Sequence, residues 1–105
     1  MLQQLVQNAI AAAKKAEAAF VAKHGEPWYC GFAWVEVYVD RTNNAQSKEL
    51  IAAGFHKDYK PKCLSFWNPG GSGTQSMDVK EEGARAFAQV LKAAGLRAYA
   101  CSRPD

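Results

Sequence analysis

The sequence has little of what metal-binding and catalytic chains usually display. It holds two histidines and three cysteines. Cys30, Cys63 and Cys101 are odd in number and widely spaced, and no CxxC pair exists, so they make no disulfide framework. A reducing, cytoplasmic setting is the simplest expectation. Structural zinc sites show close ligand pairs, which are missing here. No cysteine–histidine signature marks a nucleophile, and no metal or cofactor is expected. No run reaches the roughly 18 consecutive apolar residues that span a bilayer. The segment "MLQQLVQNAIAAAKKAEAAF" has polar residues first and Lys14 and Lys15 in its middle, unlike a secretory leader. No membrane association is expected. The net charge of +3 permits an anionic partner without requiring one.

What is present reads as one globular domain over 1–105. The chain is 49% hydrophobic and 22% charged, a folded rather than a disordered composition. Leu2, Leu5, Val6, Ala9, Ala13, Ala16 and Phe20 recur at helical spacing, and Gly25 and Pro27 end that pattern. "WYCGFAWVEVYVD", 28–40, reads as a long strand. A short helix is expected over 45–53, a strand over 63–67, a helix over 79–94 and a strand over 96–103. Asp78 and Glu81 are spaced as a capping box for that last helix. The expectation is an α+β domain of about three strands, in the order αβαβαβ. Its helices should lie mainly on one face of the small sheet. Parallel crossovers are possible in that order.

Alternation sorts the strands into two faces. One is mostly small and aliphatic: Tyr29, Gly31, Ala33, Val35, Val37 and Val39, with Leu64, Phe66, Ala98, Ala100 and Ser102. That face suits helices. The other carries Trp28, Cys30, Phe32, Trp34, Glu36 and Tyr38, with Cys63, Trp67, Arg97, Tyr99 and Arg103. It is aromatic and mildly polar, and a monomer rarely leaves such a patch in water. Three occupants fit: a helix of the same chain, a second copy, or a ligand surface. Trp, Tyr and Arg are favoured at protein–protein hot spots. Aromatic platforms with arginines also stack unpaired bases.

Smaller features need placing beside that face. Glu36 among aromatics must reach water or a partner, and Arg97 or Arg103 is the expected one. A catalytic glutamate with a raised pKa is the less favoured alternative. His56, Lys57, Lys60 and Lys62 surround Phe55 and Tyr59 in a basic loop, a candidate for phosphate contact. "NPGGSGTQS" lies between a strand and a helix, the layout of a phosphate-binding loop. It lacks the lysine such loops need, and Asp78 occupies the helix end that a phosphate would use.

"PWYCGFAWVEV" and "QSMDVKEEGARAFAQVLKAAGLRAYACSRPD" resemble a group of small uncharacterised phage and prophage proteins. The similarity covers Pro27–Val37 and Gln75–Asp105, about half the chain. It implies a phage context and a host-cell cytoplasmic setting, and carries no functional residue over. The leading expectation is therefore a non-enzymatic, phage-type accessory protein. It would bind a host or phage protein through Trp28, Phe32, Trp34, Glu36, Tyr38, Trp67, Arg97, Tyr99 and Arg103, as a homodimer. The alternatives are a single-stranded nucleic-acid binder using that face with the 55–62 loop, and a small enzyme around Glu36 and the arginines.

Overall fold

A computed structural model describes residues 2–105. The chain runs α1 (Leu2–His24), β1 (Gly31–Tyr38), α2 (Ala45–Ala52), β2 (His56–Lys57), β3 (Cys63–Trp67), α3 (Met77–Ala93) and β4 (Arg97–Pro104). The expected α+β character holds, with three helices and four strands rather than three. The added strand, β2, lies inside the expected basic loop and is only two residues long, too short to show a period.

The sheet order is β2-β3-β1-β4, and every neighbouring pair is antiparallel. β3 and β4 both oppose β1, so they run parallel to each other with β1 between them. α3 connects them. From β1 onward this is a β-α-β-β-α-β chain with a split β-α-β unit, preceded by α1. The parallel crossover that the sequence allowed thus exists, without a hydrogen-bonded parallel pair.

The small, aliphatic face is the core face along β1 and β3 and at Ala98, while Tyr29, Ala100 and Ser102, expected on it, are exposed. Ala33, Val35, Val37, Leu64 and Ala98 are buried with Ala84, Phe87, Ala88 and Leu91 of α3. Phe55, Phe66 and Phe87 interlock there, with Phe66 and Phe87 ring centroids 4.8 Å apart. α1 packs along α3 and reaches α2, burying the stripe Val6, Ala9, Ala13 and Glu17. Its alanines permit that close approach. Gly25 closes α1 at φ +72°, donating to the Val21 carbonyl at 2.8 Å. Asn44 caps α2, its side chain accepting from the Ser47 amide at 2.8 Å.

Most boundaries shift from the sequence expectation: β1 ends at Tyr38 rather than 40, α2 and α3 end one residue early, β4 runs Arg97–Pro104, and the starts of β1 and α3 move furthest. β1 starts at Gly31, not 28, because its partner β4 ends at Pro104, opposite Gly31. α3 starts at Met77, two residues early. The Met77 amide donates to the Tyr29 carbonyl at 2.8 Å and Cys30 bridges Ser76, which fixes the chain there. Ser76 therefore takes the cap position, with no side-chain cap bond, and Asp78 lies within the first turn. The expected capping box is absent: Glu81 instead accepts from the Ser102 hydroxyl. Asp78 still sits on the positive end of the helix dipole.

Candidate functional site

Among the described residues no helix covers the second face of the sheet. α1, the helix that could have done so, lies on α3. Register fixes the layout of this face. Trp34 of β1 stands between Trp67 of β3 and Cys101 of β4. Glu36 stands between Ser65 and Tyr99, Tyr38 between Cys63 and Arg97, and Phe32 opposite Arg103. His56 of β2 pairs with Ser65 and so extends this face at its edge.

The aromatic side chains form two groups. Trp34 and Trp67 stack with ring centroids 4.6 Å apart and planes 15° apart, and Phe32 meets Trp67 edge-on at 6.2 Å. Tyr38 meets Tyr99 edge-on at 5.8 Å. Trp67 keeps 46% of its surface exposed and Tyr99 49%. Trp28 is 96% exposed but precedes β1. It is corrected out of the face: pairing beyond Gly31 stops at Cys30, which meets the Asp105 amide and Ser76. Cys30 also lies outside β1, so only Cys63 and Cys101 share the face.

Glu36 separates the two groups and is 3% exposed. It accepts from Trp34 Nε1 at 2.9 Å, Tyr38 Oη at 3.0 Å and Lys60 Nζ at 3.0 and 3.1 Å. The expected arginine partners are corrected. Arg97 pairs with Asp40 at 3.6 Å, and Arg103 lies over the Phe32 ring at 5.6 Å. Burial by itself would raise the Glu36 carboxyl, but the bonds from Trp34, Lys60 and Tyr38 outweigh it and hold it below the usual glutamate value. That direction opposes the raised-pKa catalytic reading. The hydrogen bond to Glu36 raises the Lys60 ammonium in turn. Lys60 therefore has a structural partner on the face and is not a free phosphate contact.

A cavity of about 430 Å³ lies where the two indoles meet the β2–β3 loop. Trp34, Trp67, His56, Lys57 and Arg103 line it, together with Asp58 and Glu36. Both carboxylates are committed: Glu36 as described, and Asp58 to the Ser65 hydroxyl and the Lys60 amide. Burial acts to raise Asp58, and these bonds more than offset it, so its carboxyl is lowered. Among the described residues, Lys57 and Arg103 have no ion-pair partner. Lys62 is exposed, at φ +56° where the loop turns into β3. Phe55, expected in the loop, is core.

The cysteines offer no activated thiol at the face. Burial pushes the Cys63 thiol up to about 11 and raises Cys101 as well. No cluster of three or more metal-ligating side chains occurs among the described residues, and no helix among them is long and apolar enough to cross a membrane. Comparison with known proteins gives no match: no family model, no curated protein and no solved structure.

A second feature escaped the sequence reading. Glu17 of α1 is 4% exposed, and neither carboxylate oxygen has a hydrogen-bond partner. It sits between Gly70 of the glycine-rich loop and Gly83 of α3. A signal existed: Val6, Ala9, Ala13 and Glu17 follow one helical stripe, so the buried face of α1 ends on a carboxylate.

Proposed function

We propose that this chain is a non-enzymatic binding protein whose working surface is the open sheet face, and that the occupant it fits best is single-stranded nucleic acid. One observation carries the choice of occupant. Beside the exposed Trp67 indole, Lys57 and Arg103 are unpaired while every carboxylate lining the cavity is already bound. Lys57, Lys60 and Arg103 outnumber Glu36 and Asp58 around the cavity, so its lining is net positive. A phosphate meets the cations, and the base it carries stacks on the indole. By analogy, four-stranded sheets that bind unpaired RNA stack bases on aromatic residues of the sheet face. Arg97, Tyr99 and Lys92, whose ammonium lies 5.4 Å from the Tyr99 ring centroid, continue cation and aromatic character across β4.

The second reading is a protein partner, with a homodimer as its simplest form. The exposure of Trp67 and Tyr99 beside arginines supports it, since these are hot-spot residues. A face-to-face dimer would bring the same unpaired cations together, which weighs against it, whereas an acidic protein partner would complement them. The resemblance to phage proteins supplies the setting for either reading: an accessory protein acting in the host cytoplasm.

Tryptophan fluorescence titrated with a single-stranded oligonucleotide tests the proposal. Quenching at low salt, weakened by added salt, is expected. Trp67→Ala is expected to weaken binding by about 1–3 kcal/mol, the range for one stacked base. No quenching at low salt overturns the nucleic-acid reading. A mass that rises with protein concentration in sedimentation would then favour the dimer.

A further inference from the structure

The glycine-rich loop, Asn68–Ser76, closes over an unpaired carboxyl. Gly70 on one side and Gly83 on the other pack directly against the end of the Glu17 side chain, and a Cβ at either position would overlap it. Only glycine on both walls allows this burial. The two walls differ in strength. Gly83 belongs to α3, a 17-residue helix packed on the sheet. The loop wall is anchored at its start by the buried Pro69 and by the Asn68 amide on the Ala33 carbonyl at 3.0 Å; beyond that it is held by polar contacts, Lys14 Nζ to the Gly70 carbonyl at 3.2 Å, the Asn68 side-chain amide to the Ser72 carbonyl at 2.9 Å, and the Thr74 hydroxyl to Glu26. Outside it, an open cavity of about 740 Å³ lies between the loop and α1.

An ionised carboxylate buried without donors is costly, and such a group either takes up a proton or reaches water. The charged groups around Glu17 are Lys14 on α1, Lys80 on α3 and Glu26 after α1; the loop contributes none. Burial raises the Glu17 carboxyl, and the opposing pull of Lys14 and Lys80 is smaller.

We propose that Glu17 is a proton-operated latch for the glycine-rich loop: the loop closes on the neutral carboxyl and lifts when the carboxyl ionises. The sign follows from linkage. A carboxyl raised in the closed state favours closure fully below the ordinary glutamate value. That contribution is lost as pH climbs through the raised value. Lifting opens the Glu17 oxygens to the cavity. Asn68, at φ +48°, directly follows Trp67, so the hinge of the loop adjoins the exposed indole. The latch stands on the α1–loop–α3 contact alone and holds whatever occupies the sheet face.

The test is amide exchange by NMR from pH 5 to 8, expressed as protection relative to each amide's intrinsic rate. Gly71 and Thr74 report the loop, and Val35 in β1 is the control. Protection of Gly71 and Thr74 should fall by up to about tenfold per pH unit between the ordinary glutamate value and the raised one, and level off above it, with Val35 unchanged. Glu17→Gln should leave loop protection independent of pH. Direct carboxyl titration of the wild-type Glu17 by NMR keeps the proposal testable if that variant does not fold. Loop protection that is flat in the wild type overturns the latch. So does identical pH dependence in Glu17→Gln, or a Glu17 titration in the ordinary glutamate range.

Discussion

Gly83→Ala should destabilise the protein, although alanine is the better helix former. In an unobstructed helix interior the substitution gains about 1 kcal/mol. Here the new Cβ would lie 2.8 Å from Glu17 Cδ and 2.9 Å from Cγ. Gly70 confines the carboxyl from the opposite side, so Glu17 has no free space in which to retreat without moving the loop. Overpacking of this kind costs about 1–3 kcal/mol, leaving a net loss of about 1 kcal/mol. Removing the obstacle should reverse the sign. In a Glu17→Ala background, Gly83→Ala should recover its gain of about 1 kcal/mol. The coupling between the two sites is then about 2 kcal/mol, within the range for residues in contact. Urea denaturation of the four proteins in this cycle measures it. With a slope of about 2 kcal/mol per molar, the coupling corresponds to about 1 M in midpoint. A coupling under about 0.5 kcal/mol, or a Gly83→Ala protein more stable than wild type, would show that the carboxyl is not wedged between the two glycines.

Two further outcomes follow from the sheet face. The depressed Glu36 carboxyl contributes stability that is present above the ordinary glutamate value and is lost as pH falls through the folded one. Denaturation midpoints measured between pH 6 and 3 should fall less in Glu36→Gln than in wild type, and equal slopes would refute that contribution. Among the cysteines, Cys30 is exposed and Cys63 buried, with its thiol pushed up to about 11. A thiol reagent at pH 7.5 should label Cys30 in the native state and Cys63 only on unfolding, as mass spectrometry of the labelled peptides would show.

The sequence makes some of this molecule legible because side-chain alternation is local. Val35 and Glu36 face opposite ways in any strand, so the core face and the aromatic face could be separated before the strands were paired. Helix punctuation is local too, and Gly25 ends α1 where its position suggests. Pairing is not local. Trp28 and Tyr29 continue the strand pattern of β1, yet they lie outside it because β4 stops opposite Gly31. The Glu36–Lys60 pair joins residues 24 apart through a loop whose path no periodicity encodes, which is why the nearer-looking arginines were expected in its place. Glu17 sat on a readable stripe, but its environment depends on two glycines from other parts of the chain.

The stacked pair of Trp34 and Trp67 also makes the face its own optical gauge. Two indoles 4.6 Å apart behave as a coupled chromophore rather than as two independent fluorophores. Each belongs to a different strand of the β1–β3 ladder. Anything wedged against Trp67, or any loosening of that ladder, should alter the near-ultraviolet dichroism and the emission together. Trp28 stands apart in solvent as a separate background signal, and Trp28→Phe would remove it. Events at this surface can then be followed in the unlabelled protein, by light it already absorbs.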